Sequence, residues 1–145
     1  MRHLQRYPIW RDANRLLVEI ERAVRGFPRY HKYTLGSELR RQAMTICRLI
    51  SRAISDKQRQ YHHLERLKLA VDDLKTQIQL AKELQVFSSF TQFQTLSELA
   101  VAVGRQSGGW AKRLISNNPK SPSVTEGACV ELTVRPYPPC TTRGW

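Results

Sequence analysis

Apolar residues recur at steps of three and four through the first 115 residues, the period of a helix that buries one face. The pattern predicts four helices. Pro8 suits the first turn of the first one, which carries Trp10, Ala13, Leu17, Ile20, Val24 and Phe27 and is stopped by Gly26 and Pro28. The second follows Thr34, whose hydroxyl can cap free amides, and its seam is Leu35, Leu39, Ala43, Ile46, Ile50 and Ala53, ending near Asp56. The third spans 59–84, where Leu64, Leu67, Val71, Leu74, Ile78 and Ala81 step 3, 4, 3, 4, 3. A short apolar turn, QVFSSF, leads to the fourth, with Phe93, Leu96, Ala100, Val103, Ser107, Trp110 and Leu114. Connections of roughly three to eight residues force neighbours antiparallel, so the expected fold is all-α, an up-down-up-down four-helix bundle over 1–115.

The pattern stops at Ser116. Residues 116–145 hold five of the seven prolines and no helical seam, which predicts an irregular, flexible tail in which only CVELTV alternates like a strand. Three cysteines without metal spacing, and no apolar run near the roughly 20 residues of a membrane span, point to a reduced, cytoplasmic protein. The opening MRHLQRYPIWRD lacks the apolar stretch of a secretory signal.

Charge changes the picture more. The chain has 24 Lys+Arg against 12 Asp+Glu, a net +12. Self-repulsion on this scale is relieved by a polyanion, which makes nucleic acid the expected partner. The basic residues are also arranged. Residues 29–59 hold eight Lys/Arg (Arg29, Lys32, Arg40, Arg41, Arg48, Arg52, Lys57, Arg59) and two acids (Glu38, Asp56), a local 8 − 2 = +6. Arg41, Arg48, Arg52 and Arg59 step 7, 4, 7 and are expected to share one face, with Arg40 at its edge. Guanidinium forks match phosphate oxygens, and such contacts position a nucleic acid without reading its sequence. A solvated face explains Lys68, Lys75 and Lys82, interleaved with Asp72 and Gln79, equally well. It explains the arginines less well, because they have little acidic relief nearby.

Catalytic patterns are not found. Asp72 and Asp73 point about 100° apart on a helix, and Lys68 and Lys75 flank Asp72 as surface ion pairs do. His62, His63 and Glu65 match no zinc spacing, and Arg59 and Arg66 one turn away would repel a cation. No catalytic residue, metal site, cofactor or small-molecule substrate is therefore expected. The three glycines of GRQSGGW are a different puzzle, because each costs about 1 kcal/mol in a helix interior. They allow close approach, with Trp110 beside them, either at a tight crossing within one bundle or at a contact between subunits.

Two segments carry a family resemblance. FPRYHKYTLGSELRR resembles the hallmark of the accessory variability determinant (Avd) proteins of diversity-generating retroelements, and VGRQSGGWAKRL resembles their second hallmark. Pro28, Arg29, Thr34, Leu35 and Gly36 match the first, with Lys32 and Tyr33 in its basic and aromatic places. Gly104, Arg105, Gly108, Gly109 and Trp110 match the second. The resemblance covers about residues 5–115. It implies a basic four-helix bundle assembling as a ring-like homopentamer. The implied role is that of a non-catalytic accessory that binds template RNA, and possibly DNA, and the retroelement reverse transcriptase during mutagenic retrohoming. The alternative is a structural bundle of the kind encoded in ribosomal-RNA intervening sequences, with no polymerase partner. That family's GLTSQ and serine-isoleucine-proline text is replaced here by TLGSELRRQAMTICRLI.

Overall fold

A computed structural model describes residues 2–117. Its elements are a 3-10 turn (Arg2–Arg6), α1 (Pro8–Arg25), the one-turn α2 (Arg29–Lys32), α3 (Leu35–Ser55), α4 (Gln60–Glu83) and α5 (Phe90–Asn117). Among the described residues there is no strand, and the protein is all-α with four long helices. One compact unit ends at Ala111, and α5 runs on past it to Asn117. The expected tail at 116 thus begins with two helical residues. The strand reading of CVELTV lies outside the described residues.

Sequence pattern turns into packing most faithfully in α4, where Leu64, Leu67, Val71, Leu74, Ile78 and Ala81 are all buried. α4 packs on α3, where Leu39, Ala43, Ile46, Ile50 and Ala53 of the expected seam are buried and Leu35, its first member, is half-buried. Each fully buried Leu or Ile contributes about 1.5–3 kcal/mol of transfer free energy, enough to hold these helices without strong propensity. Polar groups reinforce the contact: Gln42 donates to the Ala70 carbonyl at 2.9 Å. In α1 the expected seam is partly displaced. Ile9 and Leu16 are buried while Trp10 and Leu17 are only half-buried, and Ala13, Ile20, Val24 and Phe27 are in the core as expected. Adjacent apolar pairs sit about 100° apart, so spacing alone does not say which member faces inward.

α1 packs on α3, and α3 on α4. α5 closes the arrangement with Leu96, Ala100, Val103 and Ser107 buried. It touches α4 where Lys82 Nζ lies 5.0 Å from the Phe93 ring centre, and α1 where Gln106 donates to Asp12. The α4–α5 turn is pinned by buried Val86 and by Phe87, whose ring meets Phe27 edge-on at 5.6 Å. Gln85 there has φ 58, a left-handed residue that ends α4.

Two local expectations fail. Thr34 stands at the N-cap of α3 but makes no side-chain cap. Its hydroxyl turns back to the His31 and Tyr30 carbonyls at 3.4 and 3.5 Å, and its own amide also donates to His31 at 3.3 Å, so Thr34 closes α2 rather than capping α3. The second failure concerns Arg59. α3 ends at Ser55, Asp56 leaves helical geometry (φ −102, ψ 88), and Arg59 is the residue before α4. The step of seven from Arg52 therefore leaves the helix, and Arg59 does not extend the α3 face.

Candidate nucleic-acid interface

α3 buries one side and turns the other outward. On the outward side Arg41, Arg48 and Arg52 are exposed and fall within about 40° in helical projection, over roughly 16 Å of helix. Arg40 is also exposed, at the edge of this arc. Of the seven predicted basic contacts, Arg29, Arg40, Arg41, Arg48, Arg52 and Arg59 are exposed and Lys32 is half-buried.

The arginines are not equivalent. Arg41 donates to Glu38 at 2.7 Å, and Arg40 reaches across to Glu21 of α1 at 2.9 Å. Arg48 donates to the Thr45 hydroxyl at 3.0 Å. Among the described residues no carboxylate pairs with Arg29, Lys32, Arg48, Arg52 or Arg59. The acidic relief that appears absent along α3 is thus supplied in part by α1, nineteen positions away in sequence (40 − 21). Exposed pairs of this kind contribute little to stability, and their main effect here is to reduce local charge.

Sequence reasoning did not single out the display of aromatic rings on α2, which packs on α3. α2 presents Tyr30 and Tyr33 at 84% and 72% exposure, and Arg29 and Lys32 interleave with them. RYHKY itself is the signal, since alternating aromatic and basic residues are common in proteins that bind single-stranded nucleic acid.

The turn is held from below. Phe27 is buried at its start, Pro28 accepts from the His31 and Lys32 amides at 2.9 and 3.0 Å, and Gly36 is buried at its end. A Cβ on Gly36 would stand 2.7 Å from Val24 Cγ1, so only glycine lets α3 start against α1 here.

The glycines of α5 separate into two kinds. A Cβ at Gly104 would come within 3.3 Å of Val71 Cγ1 and 3.4 Å of Lys75 Nζ, a close approach to α4 within the subunit. A Cβ at Gly108 would meet nothing within 4 Å among the described residues. The tight-crossing reading therefore accounts for Gly104 and not for Gly108. Trp110 is half-buried and stacks on Tyr7 at 6.0 Å, which ties α5 to the residue preceding α1. Gly109 is half-buried.

The residues weighed for chemistry lie elsewhere. Asp72 and Asp73 are exposed, with Lys75 Nζ 3.9 Å from Asp72. His63 is engaged with Asp56 at 3.1 Å, and the Arg59 amide donates to the same carboxylate at 3.3 Å. The His63 hydrogen bond, with the smaller help of Arg59, holds the Asp56 carboxyl below its ordinary value of 3.8. Burial pushes the Cys47 thiol up to about 11, with nearby Arg48 opposing. Among the described residues no helix is long and apolar enough to cross a membrane, and no three His, Cys, Asp or Glu side chains gather as a metal site would need.

No curated protein matches the chain. The bAvd-like family does, over residues 5–114, a span that takes in α1 to α4 and most of α5 with both glycine-bearing segments. A match over that much of its length means that the chain belongs to the bAvd-like family.

Proposed function

We propose that this protein is a non-catalytic accessory of a diversity-generating retroelement that binds template RNA and the retroelement reverse transcriptase to support mutagenic retrohoming. The observation that carries the reading is the outward arginine face of α3, in which Arg48 and Arg52 have no described carboxylate partner, in a chain of this family. Phosphate contacts from such a face give affinity and register while sequence choice comes from elsewhere. The four long helices are proposed to run up-down-up-down, since four residues (56–59) and six (84–89) join the last three.

The working form is proposed to be a cytoplasmic homopentamer. Five copies at +12 make about +60 of formal charge, a field that attracts RNA and is screened by salt. Open space over Gly108 supports a contact between copies there. The test is native molar mass by light scattering, with and without a structured RNA, at low and high salt. A pentamer that takes up RNA at low salt and releases it at high salt is expected. A monomer whose mass ignores RNA would refute the reading.

A further inference from the structure

We propose that the α2 turn is a stacking platform for unpaired RNA bases, with Tyr30 and Tyr33 receiving the bases and Arg29 and Lys32 the flanking phosphates. The inference rests on the nucleic-acid reading above and narrows it to single-stranded segments.

Four observations converge on this turn. Among the described residues Tyr30 and Tyr33 are the most exposed of the large apolar side chains, ahead of Leu69 at 66%. They are three positions apart in backbone that stays helical through Tyr33 (φ −92, ψ −2), which puts both rings on one side of the turn. The backbone beneath is fixed by the Phe27 anchor, the two hydrogen bonds that the His31 and Lys32 amides donate to the Pro28 carbonyl and the Gly36–Val24 contact, so the rings are presented without a large ordering cost. The His31 ring also meets Tyr30 edge-on at 5.0 Å and limits its motion.

Charge decides what such rings fit. Residues 28–37 contain Arg29 and Lys32 and no Asp or Glu, and Glu38, the next acid, is occupied by Arg41. A polyanion with flat apolar faces satisfies both halves of this surface. Duplex RNA offers the charge but keeps its base faces stacked, whereas a single strand offers both. α2 packs on α3, the helix whose outward side carries the exposed Arg48 and Arg52.

Binding of a labelled 20-nucleotide oligouridine and of a 20-base-pair RNA duplex would be measured by fluorescence anisotropy on the full chain, with native mass recorded for each variant. Tyr30→Ala/Tyr33→Ala is expected to weaken oligouridine binding by on the order of 30-fold and duplex binding by less than about 3-fold. Tyr30→Phe/Tyr33→Phe keeps the ring faces and should retain nearly all of the affinity. Unchanged oligouridine binding by the alanine variant overturns the platform while leaving the nucleic-acid reading intact. An equal loss on both probes also overturns it, as does a fall in native mass with the ratio of the two affinities preserved, which would give the rings to a contact between copies. Wild-type protein that binds neither probe would remove the nucleic-acid reading, and the platform with it.

Discussion

Replacing Gly36 by alanine tests the packing beneath the α2 turn. The added methyl would stand 2.7 Å from Val24 Cγ1, where carbon atoms prefer about 3.5–4.0 Å. Val24 is 2% exposed and β-branched, so it has neither room nor rotamers to yield. Overpacking of this kind costs about 1–3 kcal/mol, and alanine returns about 1 kcal/mol of helix propensity. The net expectation is a loss of about 1 kcal/mol, or a Tm lower by about 4 °C for a structured region of this size. The decisive comparison is in a Val24→Ala background. That change alone loses about 1.6 kcal/mol for two buried methyls, with a further cavity cost. It also removes Cγ1, so adding Gly36→Ala should now stabilise by about 1 kcal/mol. The same substitution reverses sign, a coupling of about 2 kcal/mol. Guanidinium unfolding followed by circular dichroism at one fixed protomer concentration reads all four proteins, because assembly makes stability depend on concentration. Additive effects, or a stabilising Gly36→Ala in the wild type, would refute the close-contact argument.

Gly108→Ala should stabilise the subunit by about 1 kcal/mol, since its methyl meets nothing within 4 Å among the described residues, whereas Gly108→Leu should lower the native mass through a neighbouring copy. An unchanged mass for the leucine variant would exclude a subunit contact at this position. Arg48→Gln and Arg52→Gln should each flatten the salt slope of log affinity for duplex by about 0.9, and Arg41→Gln by less because Glu38 already offsets its charge. Equal effects at all three positions would show that the pairing with Glu38 does not persist in the complex. For Asp56 the folded-state value is depressed, so its stabilisation is present above the ordinary carboxylate range and is lost as pH falls through the folded value. Wild type should therefore exceed Asp56→Asn in unfolding midpoint near neutrality and converge with it once the pH falls below the folded value. A gap that stays constant with pH would assign the difference to something other than the carboxylate.

Much of the helical framework was legible because α3, α4 and α5 each carry one narrow seam: all of the α4 seam is buried, all of the α3 seam but Leu35, and the α5 seam from Leu96 to Ser107, while Phe93, Trp110 and Leu114 are half-buried. α1 was less legible, since Ile9–Trp10 and Leu16–Leu17 each offer two apolar neighbours for one inward position. Helical spacing likewise placed Arg41, Arg48 and Arg52 on an exposed face but carried on past Asp56, where the helix ends. Neutralisation of Arg40 by Glu21 was not legible, because it depends on how α1 and α3 dock. The α2 turn was hidden for a related reason: four residues of RYHK have no periodicity, and their order comes from Phe27 and Gly36 on either side. The hallmark segment thus mixes residues that shape the turn with residues that it displays.

Gly104 has a consequence for where charge emerges from the molecule. The missing side chain leaves a notch on α5 in which the end of Lys75 rests, with Cε and Nζ 3.7 and 3.4 Å from where a Cβ would be. Lys75 remains 40% exposed, so its charged end is steered over the notch and still reaches water. The contour of one helix therefore sets the exit point of a cation rooted in another. A surface map drawn from basic residues alone would place that charge by the register of α4, whereas its position is inherited jointly from Lys75 and from an atom that α5 lacks.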